Sequence, residues 1–516
     1  MNPLRIFVIV EDPAGLSTEE LSLLDKICAD ARYELCGLFV ATEREHRAPL
    51  LPGALMRAEE ALFLRSRGAA TPHFEKRRGT ITAERLGADA AYRAAAGGDV
   101  IIDMADAHGA PLLASAARFG VWRLTSTAAD FGFREAATDV SATEVELVRF
   151  SAKSPGGETI ARAAFNTKFV AAYNAAFARE KSIGLIEREL ARLHLSGEAP
   201  RGVARAPRTA SPTSPDVVVY GFRAAGSLSR RLAFAAAARL RLRPGMFMLM
   251  TAAGSPFDFD PRKGKRIVPE GDHYWADPFI FRWRNKTYVF FEDYDYRTGR
   301  GEIGVAEIEN GEFRVIGPAL RRDYHLSFPF VFEEGGDVFM IPETGEARRV
   351  ELWRATAFPT EWELYSTALE GVDCADTVIA RHRGQWWLFT NISKGRFRDH
   401  CGELHVFRID GPDLSNPVPH PLNPVVVDSR TARGGGRVFE KDGGLFRMSQ
   451  VNERGEYGYG VNIMEITRID MLDYREELAR RIEPTFDSAL MGCHHLDFVD
   501  DLVVMDIRKK WGGFPY

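Results

Sequence analysis

Cysteine is scarce in this chain, and what there is excludes a disulfide scaffold. The 516 residues include five cysteines, Cys28, Cys36, Cys374, Cys401 and Cys493, scattered along the sequence and odd in number. None stands in the close pairs that structural zinc sites use, so free thiols in a reducing compartment are expected. Long apolar runs are missing too. No stretch reaches the roughly 18 residues needed to span a bilayer. At the N-terminus, MNPLRIFVIVEDPAG, the apolar run is short and meets Glu11 and Asp12, unlike a secretory leader. A cytoplasmic location is therefore expected. Charge of one sign is lacking as well: the net charge is -5, which gives no electrostatic case for nucleic acid. The run Gly434-Gly435-Gly436 is no phosphate loop, because neither a helix pattern nor Lys-Ser/Thr follows it. It reads instead as backbone clearance at a crowded place. No cofactor and no metal centre is expected.

What the chain does have is internal repetition. Four segments of its C-terminal half overlay without a gap: 276–292 (ADPFIFRWRNKTYVFFE), 327–343 (SFPFVFEEGGDVFMIPE), 375–391 (ADTVIARHRGQWWLFTN) and 434–450 (GGGRVFEKDGGLFRMSQ). They are offset from the first by 51, 99 and 158 residues. Each is an apolar strand, a tight polar turn and a second apolar strand. A looser fifth copy runs over 493–508. Hairpins repeated at a period of roughly 50 indicate an all-β five-bladed β-propeller over 245–516. The strand Met246–Thr251 is expected to close the ring by completing the last blade.

The repeat defines columns. Inner strands of a propeller converge on its axis, so equivalent strand ends face one another across a funnel. The second position of each copy is Asp277, Phe328, Asp376, Gly435 and His494; the last is Glu292, Glu343, Asn391, Gln450 and Asp506. Burying such polar groups unpaired is costly, so they must meet water, one another or a ligand.

The N-terminal region, 1–195, alternates strand and helix patterns: strands at 4–10, 33–40, 100–104 and 121–124, then 145–150 and 159–165, with helices at 17–31, 110–119 and 168–193. This order predicts an α/β doubly wound sheet. Ser17 or Thr18 caps the first helix. Residues 196–225 read as a linker rich in Pro, Ser and Thr. Residues 226–244 (GSLSRRLAFAAAARLRLRP) read as a basic helix, stopped by Pro244-Gly245. Its arginines either face solvent beside the propeller or make a peripheral membrane contact with anionic lipid.

Signatures in the second half, HYWADPFIF at 273–281, YHLSFPFVFEE at 324–334, MIPETGE at 340–346, LWRATAFPTEW at 352–362 and HPLNPVVVDSRTARGGG at 420–436, resemble a known domain. It is the five-bladed propeller found at the N-terminus of glucosamine inositolphosphorylceramide transferases and in bacterial relatives. In architecture that domain is similar to the arabinanase, xylosidase, invertase and levansucrase propellers. The resemblance implies three funnel carboxylates, because glycoside chemistry needs a proton donor, a base or nucleophile and a group that tunes them. Asp277 is then the base or nucleophile, Glu343 the acid and Asp376 the tuning group, with Glu292 a formal alternative acid in Glu343's column. Trp275, Glu292, His325, Ser327, Arg433, Gln450 and His494 are the candidate substrate-binding residues. Arg and His beside carboxylates suit a sugar bearing phosphate or carboxylate. Tyr274, Trp275 and Trp386 are candidates for stacking on sugar faces. Because neighbouring strand residues point to opposite faces, one of His494 and His495 is expected to be structural.

In the first half, DVIIDMADAHGAPLLASAARFGVWRLTST at 99–127 and VELVRFSAKSPGGETIARAAF at 145–165 resemble folate-dependent formyltransferases. The family's catalytic His has no counterpart here, since no histidine occurs between His108 and His194. The resemblance therefore implies a degenerate, formyltransferase-like domain. Three functions stand as expectations. The first is cleavage or transfer of a glycosyl unit in the funnel, in surface glycan or glycolipid metabolism. The second is a non-catalytic glycan-binding module that works with a glycosyltransferase partner. The third is residual formyl transfer to an amino sugar.

Overall fold

The computed structural model describes residues 2–41, 50–64, 71–86, 97–126, 132–205, 213–239 and 246–510. They form two units, Met1–Ser227 with Gly395–Phe397, and Leu228–Lys394 with Arg398–Tyr516.

The first unit is built on one sheet. Its strands are β1 (Leu4–Val10), β2 (Tyr33–Val40), β3 (Ala83–Arg85), β4 (Val100–Asp103), β5 (Val121–Ser126), β6 (Ala142–Ser151), β7 (Ser154–Asn166) and β8 (Val203–Ala204). Their spatial order is β3-β2-β1-β4-β5-β6-β7-β8. The strands from β3 to β5 are parallel, and β6 to β8 continue antiparallel. The sheet is thus mixed rather than doubly wound throughout. Along β1, Ile6 and Val8 pack on one face with Leu23, Leu24, Ile186 and Leu190 of the helices Thr18–Ala29 and Ala171–Ser196. Phe7 and Ile9 pack on the other with Ala107, Leu113 and Ala117. Burial on both faces explains why β1 reads as an unbroken apolar run. Ser17 is the first helix's cap, with Glu20 closing a reciprocal capping box. At the end of β4, Asp103 is buried and accepts from Arg123 Nε at 2.6 Å, while Arg123 donates to the Ala107 carbonyl at 2.7 Å. His108 is exposed.

The expected linker at 196–225 is shorter than its composition suggested. The helix expected at 226–244 begins at Ser214 and is described to Arg239; the expected stop at 244–245 lies outside the described residues. The reason is local. Asp216 accepts from both the backbone N–H and the hydroxyl of Thr213, at 2.6 and 2.7 Å, so Thr-Ser-Pro-Asp caps a helix. Tyr220 then anchors it, buried against Phe133 and donating to Glu59 at 2.5 Å.

The second unit is five twisted sheets, the expected five-bladed propeller. The inner hairpins are His273–Trp283 with Lys286–Asp295, Ser327–Glu334 with Asp337–Glu343, Cys374–His382 with Gln385–Ile392, Gly434–Lys441 with Gly444–Val451, and Leu496–Val499 with Leu502–Lys509. The fifth sheet is completed by Phe247–Ala253, which pairs with Leu502–Lys509 and closes the ring. The hairpin turns are read directly from their chemistry. Arg284-Asn285, Gly335-Gly336, Arg383-Gly384 and Asp442-Gly443 all hold φ between 46° and 89°. Two successive positive φ values are what a twist-matched two-residue hairpin loop requires.

A second recurrent feature was not expected. In the first four blades the innermost strand carries a bulge at its start, between Ala276/Phe279, Ser327/Phe330, Ala375/Val378 and Gly434/Val438. Asp277, Phe328 and Asp376 sit in these bulges with φ of 49°, 47° and 51°. These are left-handed conformations that a non-glycine residue adopts at a cost on the order of 1–3 kcal/mol. In the fourth blade Gly436 takes φ 142°, and an added Cβ there would lie 2.1 Å from the Leu496 carbonyl oxygen. The glycine run is therefore clearance, as read. Gly436→Ala is expected to destabilise the propeller by about 1–3 kcal/mol through overpacking, measured by urea unfolding; an unchanged midpoint would contradict the close approach.

Candidate functional site

The bulges aim the site. An extra residue in the inner strand turns the backbone and re-directs a side chain that regular alternation would have sent elsewhere. Asp277 and Asp376 are both buried, in blades one and three. Around them two clusters assemble.

The first is organised by Arg433, at the entrance to the inner strand of blade four. Its Nε donates to Asp376 Oδ2 at 2.6 Å and its Nη2 to Glu343 Oε2 at 3.4 Å. Gln450 Nε2 lies 3.4 Å from the same Asp376 oxygen and 3.5 Å from the Tyr457 hydroxyl. The Arg433 guanidinium stands 5.1 Å over the Tyr457 ring. Burial, then the neighbouring Asp376, pushes the Glu343 carboxyl well above the usual range. Glu343 therefore holds its proton more tightly than a free carboxyl, beside an Asp376 that is paired with Arg433.

The second centres on Asp506. Its carboxylate accepts the backbone N–H groups of Asp277 (3.2 Å), His494 (2.9 Å) and His495 (3.1 Å), and lies 2.7 Å from His494 Nδ1. Although burial opposes it, His494 keeps Asp506 below the ordinary carboxylate value. The reciprocal attraction raises His494 against its own burial. His494 Nε2 reaches Asp277 Oδ1 at 3.4 Å. Asp277 itself is pushed up to about 7 by burial and by the neighbouring Asp376 and Asp506, against the pull of His494 and Arg433. Its Oδ1 has no hydrogen-bond partner, nor has Gln450 Oε1. Beside this cluster, Tyr274 donates to Glu292 Oε1 at 2.9 Å, and His325 Nε2 lies 3.4 Å from the same oxygen. Because the Gly301 N–H donates to His325 Nδ1 at 2.9 Å, the His325 proton sits on Nε2 and faces Glu292. Burial, then Asp277, holds Glu292 well above the normal value.

The structure therefore brings together Asp277, Glu343, Asp376, Arg433, Gln450 and His494, with Glu292 and His325 adjoining. Ser327 is buried and stands opposite Glu343 in the blade-two hairpin. Trp275 differs from the expectation. It is buried in the core, its ring 4.9 Å from Phe291 and 5.7 Å from Phe313, and so is not placed to stack on a sugar. Tyr274, one residue earlier on the opposite face, is the half-buried one, stacked on Tyr294 at 4.6 Å. The histidine pair divides as expected, with His494 on the carboxylates and His495 packed in the core, but strand alternation is not the reason. His494 and His495 lie between strands, where alternation does not apply, and both approach Asp277, at 3.4 and 3.7 Å. His495 is buried against Phe279 and Phe328, and burial lowers its pKa to about 3. Sequence reasoning missed Tyr457, 38% exposed on the loop between two blade-four strands. Its signal was an aromatic set in a Gly-flanked loop, with no counterpart in the other repeats. It also missed the pair Arg437–Asp497, which ties the blade-one inner strand through the Ile280 N–H and carbonyl at 2.9 and 2.8 Å. Asp277, His494 and Asp506 offer one donor atom each within 4.8 Å of one another. This is the donor set a divalent cation would use, and in this structure His494 supplies the counter-charge.

These shifts fix a pH dependence. Asp277, Glu292 and Glu343 bind their protons more tightly folded than unfolded, and so does His494. Their stabilisation is complete below the unfolded pKa values and is lost as pH rises through the folded ones, about 7 for Asp277. Asp506 acts oppositely, losing its contribution as pH falls through its lowered pKa. His325, His400, His420 and His495, whose burial lowers their pKa values, act oppositely over the same interval. The Asp277 contribution is therefore read as a difference: between about pH 5.5 and 8.5 the melting temperature of Asp277→Asn is expected to fall less, or rise more, than that of the parent chain. Parallel pH profiles for the two chains contradict the assignment.

Comparison with known proteins bears on the same region. Residues 268–489 match the family model "Glucosamine inositolphosphorylceramide transferase 1, N-terminal". The glucosamine inositolphosphorylceramide transferase 1 of Arabidopsis thaliana is 35% identical over 209 residues, 40% of this chain and 27% of that protein. The Oryza sativa subsp. japonica protein of the same name is 31% identical over 236 residues, 44% of this chain and 31% of that one. Solved propellers are more distant. Zg3597, a family 117 glycoside hydrolase of Zobellia galactanivorans, has 12% identity and a TM-score of 0.34, covering 52% of this chain and 91% of that one. The Cellvibrio cellulosa α-L-arabinanase complexed with arabinohexaose has 15% identity and a TM-score of 0.31, covering 40% and 77%. The chain spans less than a third of the length of those plant relatives. Within the propeller, the family-model match falls on the first four blades.

Proposed function

We propose that the propeller funnel cleaves or transfers a glycosyl unit on a glycan or glycolipid carrying an anionic group. The observation that supports this most is the sharing of one part-buried cation, Arg433, by two carboxyl groups of different blades, 2.6 Å from Asp376 and 3.4 Å from Glu343, with the Glu343 proton held more tightly than in a free carboxyl. Glycosidic cleavage needs such a division of labour. Glu343 Oε–H delivers its proton to the glycosidic oxygen as the C–O bond breaks, and the leaving group departs as an alcohol. Asp277 either attacks the anomeric carbon or takes the proton of the attacking water or acceptor hydroxyl. Asp376, fixed by Arg433, keeps the Glu343 proton in place. The plant relatives, named as transferases on inositolphosphorylceramide, suggest a phosphate-bearing headgroup as the anionic part, which the guanidinium of Arg433 suits.

A specific observation favours a second reading, glycan binding without turnover. Asp376 and Asp277 are each engaged internally, by Arg433 and by His494. The deciding experiment offers the full chain 4-nitrophenyl glycosides, and UDP-sugars with inositol phosphate as acceptor, and measures sugar binding by calorimetry alongside. Turnover that Asp277→Ala abolishes, with the fold intact, supports catalysis. Binding with no product from any donor supports the second reading instead.

A further inference from the structure

The helix Ser214–Arg239 carries two opposed faces. Positions Val217, Tyr220 and Ala224 fall on one side at helical spacing and pack with Phe133, Ala136 and Ala171. On the opposite side Val218, Phe222 and Leu232 form a stripe spaced four and ten residues apart, and they are 59%, 78% and 62% exposed. Val219 and Leu228 flank it at 49% and 43%. Large apolar side chains this exposed, in one line on a helix whose other face is already buried, call for an occupant.

Charge identifies the occupant. From Val217 to Phe257 the sequence contains no Asp or Glu, yet it holds Arg223, Arg230, Arg231, Arg239, Arg241 and Arg243; Arg223 donates to the Ala137 carbonyl at 2.9 Å, Arg230 and Arg231 are exposed, and Arg241 and Arg243 lie outside the described residues. This local excess sits in a chain of net charge -5. A second copy of the same surface would bring arginine against arginine. An anionic lipid surface instead answers both features, taking the apolar stripe at the acyl boundary and the arginines at the headgroups. No described helix is long and apolar enough to cross a membrane, so this one lies on the surface.

We propose that the face of Ser214–Arg239 bearing Val218, Phe222 and Leu232, with its arginines, docks on an anionic lipid bilayer. The proposal does not depend on the chemistry of the funnel.

The test is flotation of the full chain with vesicles of phosphatidylcholine containing about 30% phosphatidylserine, and with phosphatidylcholine alone. Binding to the anionic vesicles only, weakened by added salt, is expected. The double variants Phe222→Glu/Leu232→Glu and Arg230→Glu/Arg231→Glu are each expected to reduce the bound fraction about tenfold or more. Circular dichroism melts confirm that the variants fold. Asp277→Asn is expected to float like the parent chain, so failure of docking and failure of catalysis read out separately. Equal binding to neutral vesicles overturns the proposal. So does no binding at all, or an apolar-stripe variant that changes only the solution mass by light scattering, which would assign the stripe to self-association.

Discussion

Glu343→Gln is expected to lower turnover on an unactivated glycoside by about 10²–10⁴-fold, the usual contribution of a positioned proton donor. The amide keeps the shape of the side chain and its reach to Arg433 but has no proton to give. The loss should shrink sharply with a 4-nitrophenyl leaving group, which departs without protonation. That dependence on leaving group separates a proton donor from a residue that merely holds the sugar, whose replacement would slow both substrates alike. The same substitution should remove the alkaline limb of the pH–rate profile, because in the parent chain that limb reports loss of the raised Glu343 proton. Equal losses on activated and unactivated substrates would take the acid role away from Glu343, and Glu292, also held protonated, becomes the next candidate.

Arg433→Leu is expected to be the most damaging single change for the fold. It strips the counter-charge from Asp376, whose side chain is 2% exposed, and a hydrogen-bond donor from Glu343 beside it. Breaking a buried pair by removing one partner costs about 3–5 kcal/mol. Most of that cost comes from the charge left behind, so Asp376→Asn placed on top should recover a large part. A thermal denaturation cycle of the two single variants and the double measures the coupling. If Asp376→Asn worsens Arg433→Leu, Asp376 is not the group that Arg433 neutralises.

Much of this fold is legible in the sequence because its repeat is local. Each hairpin announces itself through two apolar strands and turn residues that accept positive φ, and the funnel columns follow from laying the copies over one another. The bulges were not legible. Nothing marks Asp277, Phe328 or Asp376 as left-handed, since the conformation is imposed by crowding near the axis rather than by local preference. Missing the bulge leaves the facing of the first strand undetermined, which is why both Tyr274 and Trp275 were expected on the sugar side, whereas Trp275 is buried and Tyr274 is the half-buried neighbour. The pairings of Arg433 with Asp376 and of His494 with Asp506 join residues separated by 57 and 12 positions. The columns gathered Asp376, His494 and Asp506 around one funnel, but Arg433 stands outside them, just before the fourth copy, and they do not say which carboxylate takes which cation. That depends on angstrom-scale distances around the ring. The early start of the helix at Ser214 was hidden because Thr, Ser, Pro and Asp are both cap residues and linker residues, and only the burial of Tyr220 decides between them.

The pairing of Phe247–Ala253 with Leu502–Lys509 sets when the funnel comes into being. Asp506, the acceptor that gathers Asp277, His494 and His495, lies on the final strand of the final blade. Four hairpins can form as each is synthesised, because their contacts are short-range. The acidic floor waits until two stretches some 250 residues apart find each other, the slowest kind of contact a chain makes. Competence of the site and completion of the ring are therefore a single event, and a chain interrupted before its last strand has blades but no centre.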